Sequence, residues 1–173
     1  MKKIILIILC LIVIISVYKK ESEVRIPNSA IRFRVLANSN SNEDQKIKEE
    51  VRDNMQRKLY NLLKDTTDIT AARNLITNEM DDFGSIVDSS LKNVNYSYSI
   101  DYGMHEFPEK TYKGIIYEAG EYESLLVTLG EGKGNNWWCV LFPPMCLLEA
   151  EENTNTDEIE YKSYIKELIE KYF

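Results

Sequence analysis

Residues 31–45 read IRFRVLANSNSNEDQ, and the change of period inside this stretch decides the fold class. Ile31, Phe33, Val35 and Ala37 alternate with Arg32, Arg34 and Leu36, which predicts a strand with one buried side, because successive side chains point to opposite faces. The alternation puts Arg32 and Arg34 on the outward face. The polar cluster Asn38 to Asn42 ends the strand, and Ser41 with Asp44, or Asn42 with Gln45, can cap a following helix. Ile47, Val51, Met55, Leu59 and Leu62 then recur every three or four residues, predicting an amphipathic helix over about 43–64.

Farther along, Asp68 is a second cap, followed by the stripe Ala72, Leu75, Ile76, Met80, Phe83 and Val87. The connection is short, so the two helices are expected to run antiparallel. From Val94 the period becomes two, through Tyr96, Tyr98, Ile100 and Tyr102. Further strands are expected from Thr111 to Tyr117, Tyr122 to Leu129 and Trp137 to Phe142, separated by turn signals at Pro108, Ala119-Gly120 and Gly130 to Asn136. A last helix over about 157–172 carries Ile159, Tyr164, Ile165, Ile169 and Phe173. The expected fold is α+β: a mostly antiparallel sheet with two N-terminal helices and one C-terminal helix packed on one face. It forms a single domain over 31–173, behind a polar tether at 21–30.

Residues 1–20 form a separate unit. Met1-Lys2-Lys3 precedes an apolar run from Ile4 to Val17, 14 residues interrupted only by Ser16, and Lys19-Lys20 follows it. A bilayer span needs about 20 apolar residues, so the run fits a signal peptide, with an uncleaved N-terminal anchor as the alternative. Either one addresses the chain to the membrane. The chain carries 21 basic and 28 acidic residues, and setting aside Lys2, Lys3, Lys19 and Lys20 deepens its net charge from −7 to −11. Such a surface repels polyanions, which excludes nucleic acid as a partner class.

The second dense stretch is GEGKGNNWWCVLFPPMC at 130–146. Its glycines and Lys133 lack the spacing of a phosphate loop, and a strand rather than a helix follows, so a hairpin turn is expected. Cys139 and Cys146 either form a disulfide or stay as two buried thiols. With His105 as the single histidine and no CxxC pair, no metal site and no cofactor are expected. Asn38, Asn40, Asn42 and Glu49 have calcium-loop spacing, but Glu43 stands where that loop needs glycine, so helix capping is the better reading. Trp137 and Trp138 are neighbours in a strand: either one indole is an exposed interface anchor, or both lie under the proline loop or the terminal helix.

The blocks 31–39, Glu43-Asp44-Gln45, Val51-Arg52-Asp53, 107–112, 119–123 and 130–144 resemble, in order, those of the stage II sporulation protein R family, across about residues 31–147. The resemblance implies a signalling protein made in the forespore and exported into the space facing the mother cell. There it activates a membrane-embedded aspartic protease that cuts a sigma-factor precursor. It implies no catalysis; no cofactor or small-molecule substrate is expected, and the apolar run predicts membrane contact through residues 1–20. Exposure reasoning then nominates Trp137, Trp138, Phe142, Pro143 and Pro144 as contact residues, with Arg32 and Arg34 as a second group. The rival from another class is an exported cell-envelope hydrolase with His105 or a carboxylate as base.

Overall fold

Alternation at residues 31–36 becomes strand β1 (Ile31–Leu36) in the computed structural model, which describes residues 24–112, 115–146 and 158–173. Ile31, Phe33 and Val35 are fully buried on one face. Three helices follow, α1 (Asn42–Leu63), α2 (Ile69–Asn78) and α3 (Met80–Ser90), then β2 (Tyr98–Phe107), β3 (Lys110–Tyr112), β4 (Ile115–Tyr117), β5 (Gly120–Leu129), β6 (Asn136–Phe142) and α4 (Glu158–Tyr172). Four strands form one sheet in the order β2-β5-β1-β6, and β3 and β4 pair as a separate hairpin. β1 runs parallel to β5 and antiparallel to β6, while β2 and β5 are antiparallel. The architecture is α+β with a mostly antiparallel sheet.

Both faces of the sheet are covered. On the first, Phe33, Val35, Leu125 and Val127 meet Val51, Met55 and Leu59 of α1, Ala72 and Ile76 of α2, and Phe83 and Val87 of α3. Each of these side chains except Ala72 contributes about 1.5–3 kcal/mol when fully buried. On the second, Phe107, Tyr117, Tyr122, Trp138 and Val140 pack with Ile26, Ala30 and, from α4, Ile165 and Leu168. Helices on a single face are therefore corrected to helices on both. Residues 24–30, read as part of a tether, contribute Ile26 and Ala30 to this second layer, and Arg25 bridges to Ile116.

Other differences have local causes. The second N-terminal helix breaks at Glu79 into α2 and α3, giving four helices in place of three among the described residues. Lys58 of α1 reaches Glu79 at 2.5 Å and Asp82 at 2.7 Å, and Asp81 and Asp82 favour the positive end of a new helix. β2 starts at Tyr98 rather than Val94 because its partner β5 ends at Leu129, opposite Tyr98. The stretch from Thr111 to Tyr117 is a hairpin rather than one strand, with Lys110 opposite Tyr117.

The glycine turn at 130–134 is not a hairpin, because β5 and β6 are separated by β1. It crosses the end of β1 and is stitched to the loop that follows that strand. Asn38 Oδ1 accepts the Glu131 N–H at 3.0 Å, the Asn38 and Ala37 carbonyls accept from Lys133 and Gly134, and Asn40 Oδ1 accepts from Asn135 at 2.6 Å. A Cβ on Gly134 would sit 2.2 Å from the Ser39 carbonyl oxygen, so this close approach requires glycine. Ser41 caps α1 by accepting the Asp44 N–H, and the Asp44 carboxylate accepts from Asn38 at 2.9 Å and Ser39 at 2.5 Å. The bond from Ser39 holds the Asp44 carboxyl below its usual range, against an opposing push from burial and with further help from Asn38, Tyr96 and Ser41. The asparagines and serines of 38–42 thus cap a helix and clasp a turn.

Among the described residues no helix is long and apolar enough to cross a membrane. Residues 1–20, read as signal peptide or anchor, lie outside them.

Candidate functional site

β6 is an edge strand whose sequence, NWWCVLF, carries no charge. Its pairing with β1 shifts register between Ile31 and Arg32, opposite Phe142 and Val140, so Leu141 is extra and Phe142 turns to the first face. Phe142 is fully buried and meets the Tyr172 ring edge-on at 5.3 Å.

The adjacent tryptophans divide between the two layers, as strand geometry requires. Trp138 is 6 % exposed, edge-on to Phe107 at 5.4 Å and to Tyr117 at 5.2 Å. Trp137 lies on the other face, half-buried, edge-on to Phe33 at 5.7 Å and 5.6 Å from the Arg52 guanidinium. Only Trp137 keeps an accessible indole.

The outward placement of the arginines is corrected too, because the second layer covers that face of β1. Arg32 is 1 % exposed, its guanidinium 3.4 Å from the Tyr122 ring centre and 4.8 Å from those of Phe107 and Trp138. Burial lowers its pKa, partly offset by Tyr122 and Tyr117. Arg34 is half-buried and donates from Nη1 to the Glu106 carbonyl at 2.9 Å. Pro143 is buried behind a cis peptide bond with Phe142, and Pro144 is half-buried. Of the seven nominated contact residues, Trp137, Pro144 and Arg34 retain surface in this conformation.

Cys139 and Cys146 are joined by a disulfide, with a Cα separation of 5.5 Å. It pins the loop after β6 back onto the strand. Beside it lies a cleft of about 280 Å³, lined by residues 137–140, by Lys110, Tyr112 and Tyr117 of the β3–β4 hairpin, and by Met145 and Cys146. The Lys110 ammonium stands over Trp138 at 5.2 Å and Tyr112 at 5.8 Å.

A second cluster sits on β2 and β5. His105 Nδ1 is 2.7 Å from Ser124 Oγ, and its Nε2 is 2.9 Å from Asp101 Oδ2. The carboxylate can only accept, so Nε2–H donates to Asp101, and with a neutral ring the Ser124 hydroxyl donates to Nδ1. Gly103, opposite Ser124 on the neighbouring strand, has no side chain, which lets Asp101 and His105 lean together over it. This is the carboxylate–imidazole–hydroxyl order of nucleophilic catalysis, but Ser124 is fully buried. His105 was a sequence candidate, whereas Asp101 and Ser124 were not. Asp101 carries the fainter signal, lying four residues before His105 on the same strand face. Among the described residues no group of three or more His, Cys, Asp or Glu side chains could hold a metal.

A family model described as stage II sporulation protein R matches residues 27–152, which include the clasped glycine turn, β6 and the disulfide. Among curated proteins, stage II sporulation protein R of Bacillus subtilis (strain 168) is 41% identical over 156 residues, covering 88% of this chain and 70% of that protein. No solved structure matches the chain.

Proposed function

The chain belongs to the stage II sporulation protein R family, and from that premise we propose that it is an exported sporulation signal. It acts between the forespore and mother-cell membranes, reached by way of residues 1–20, and activates a membrane-embedded aspartic protease that processes a sigma-factor precursor. Binding can activate only through a difference in affinity between two states of the protease. The observation that carries the reading is the family match across the folded domain, joined to the lysine-flanked apolar run at 4–17. The contact is proposed at the β6 edge, where Trp137 and Pro144 keep surface; Arg34 lies across the second face.

The test is precursor cleavage in a host co-expressing the matching protease and precursor, with this protein exported intact, omitted, or carrying Trp137→Ala. Cleavage that needs the protein and weakens with folded Trp137→Ala supports the reading. Cleavage indifferent to the protein overturns it.

The Asp101–His105–Ser124 arrangement favours a second reading, an exported hydrolase with Ser124 as nucleophile and His105 as base. It requires an opening movement that exposes Ser124. Loss of function in a folded Ser124→Ala variant would select this reading over the first.

A further inference from the structure

Residues 137–140 all line the cleft beside the disulfide. Consecutive side chains of a strand point to opposite faces, so four in a row can border one depression only if it runs along the strand's edge. The floor of the cleft is therefore the outer backbone edge of β6. Among the described residues β6 pairs with β1 alone, so the N–H and C=O groups on its outer side have no strand partner.

Protein edges of this kind are usually blunted by charge, proline or a covering element, because an open edge accepts another strand. Between Asn136 and Phe142 there is no charged residue and no proline. The walls instead resemble a slot: the β3–β4 hairpin on one side and the disulfide-pinned Met145–Cys146 segment on the other. Among the described residues lining it the single charged side chain is Lys110, whose ammonium is held over the Trp138 and Tyr112 rings.

We propose that the β6 edge is a strand-addition site that takes an extended segment of a partner protein bearing a carboxylate. Backbone hydrogen bonds to β6 supply affinity, the aromatic walls take an apolar side chain, and Lys110 pairs with the acid. A second copy of this chain fits poorly, since its own β6 offers no carboxylate to Lys110 and the chain's net charge of −7 opposes self-association. The proposal gives the contact mode for the activating ligand described above and rests on that reading for its biological partner.

The experiment uses the full chain in a non-ionic detergent. The probe is an acetylated, amidated seven-residue peptide of alternating valine and threonine with a central glutamate, compared with the same peptide carrying lysine there. Binding and amide hydrogen exchange are measured for the parent and for Lys110→Glu. The glutamate peptide is expected to slow exchange at residues 136–142 and to bind about tenfold more tightly than the lysine peptide, with the preference reversed in Lys110→Glu. Equal affinity for both peptides, protection elsewhere, or outward-facing β6 amides, those not bonded to β1, already protected without peptide would each overturn the proposal. Protection that grows with protein concentration alone would assign the edge to a second copy. Lys110→Glu in the cleavage assay separates the two ideas: cleavage that needs the protein but ignores this substitution removes the contact mode and leaves the activator reading standing. Cleavage that never needs the protein removes the activator reading, while the peptide result stands by itself.

Discussion

The guanidinium carbon of Arg32 lies 3.4 Å from the centre of the Tyr122 ring, inside a layer where Arg32 is 1 % exposed. Its Nε and Nη1 have no hydrogen-bond partner among the described residues. Contact with aromatic faces contributes about 2 kcal/mol when desolvated, and burying the charge costs several kcal/mol, so the charge is not the main stabilising element. Arg32→Met is expected to stay within about 1 kcal/mol of the parent or to exceed it, whereas Arg32→Ala loses about 3 kcal/mol through the emptied volume. Urea unfolding of both variants checks this; a large loss in Arg32→Met would show a counter-charge acting on the guanidinium.

Asp44 gives a pH signature. Its folded pKa is depressed, chiefly by the Ser39 bond, so its stabilisation is complete above the unfolded value of about 3.9 and is lost as pH falls through the folded value. Asp44→Asn is expected to lose about 2 kcal/mol at neutral pH. Unfolding midpoints of parent and variant should stay apart above about pH 5 and converge in acid. A gap that persists unchanged below pH 3 would contradict this.

Gly134 is predicted to be poorly replaceable. Its added Cβ meets backbone, the Ser39 carbonyl at 2.2 Å, whereas one on Gly132 meets the Thr128 methyl at 2.7 Å. Gly134→Ala should lower stability by about 2–3 kcal/mol and detach the turn from β1. Faster amide exchange at Lys133 and Asn135 is the expected sign.

The disulfide closes a short loop, with a sequence separation of 7. The chain-entropy relation then gives about 2.5 kcal/mol, the low end of the usual range. A Cys139→Ser, Cys146→Ser double variant should unfold at correspondingly lower urea and respond no further to reductant. Unchanged stability in the double variant would show that the pinned loop does not need the bond.

Ser124→Ala removes one buried hydrogen bond and is expected to cost about 1 kcal/mol while leaving the proposed protease activation intact. Measured precursor cleavage decides between this outcome and the hydrolase reading.

β1 and α1 can be read from the chain to within a residue, because a strict period of two passes into a strict period near 3.6 across a polar cap. The same alternation misleads for Arg32 and Arg34. Period two shows that a strand has two faces, and says nothing of a second layer supplied by residues 24–30, the β3–β4 hairpin and α4. The tryptophan pair is legible as unusual, but which indole is covered depends on those distant elements. The hairpin expected at Gly130 fails for a related reason: turn chemistry marks a reversal, not the identity of the neighbouring strand. His105 stands out as the lone imidazole, whereas Ser124 becomes its partner only through cross-strand register.

β1 lies between β5 and β6, and its registered partners begin at Ser124 and end at Phe142. The earliest strand therefore has no neighbour until almost the whole domain is available, and loops of about ninety residues or more must close before the sheet exists. A chain threaded through a membrane from its N-terminus would stay unfolded, and so able to pass, until residues 120–142 had emerged. On the proposed export route, late completion of the sheet would confine its assembly to the far side.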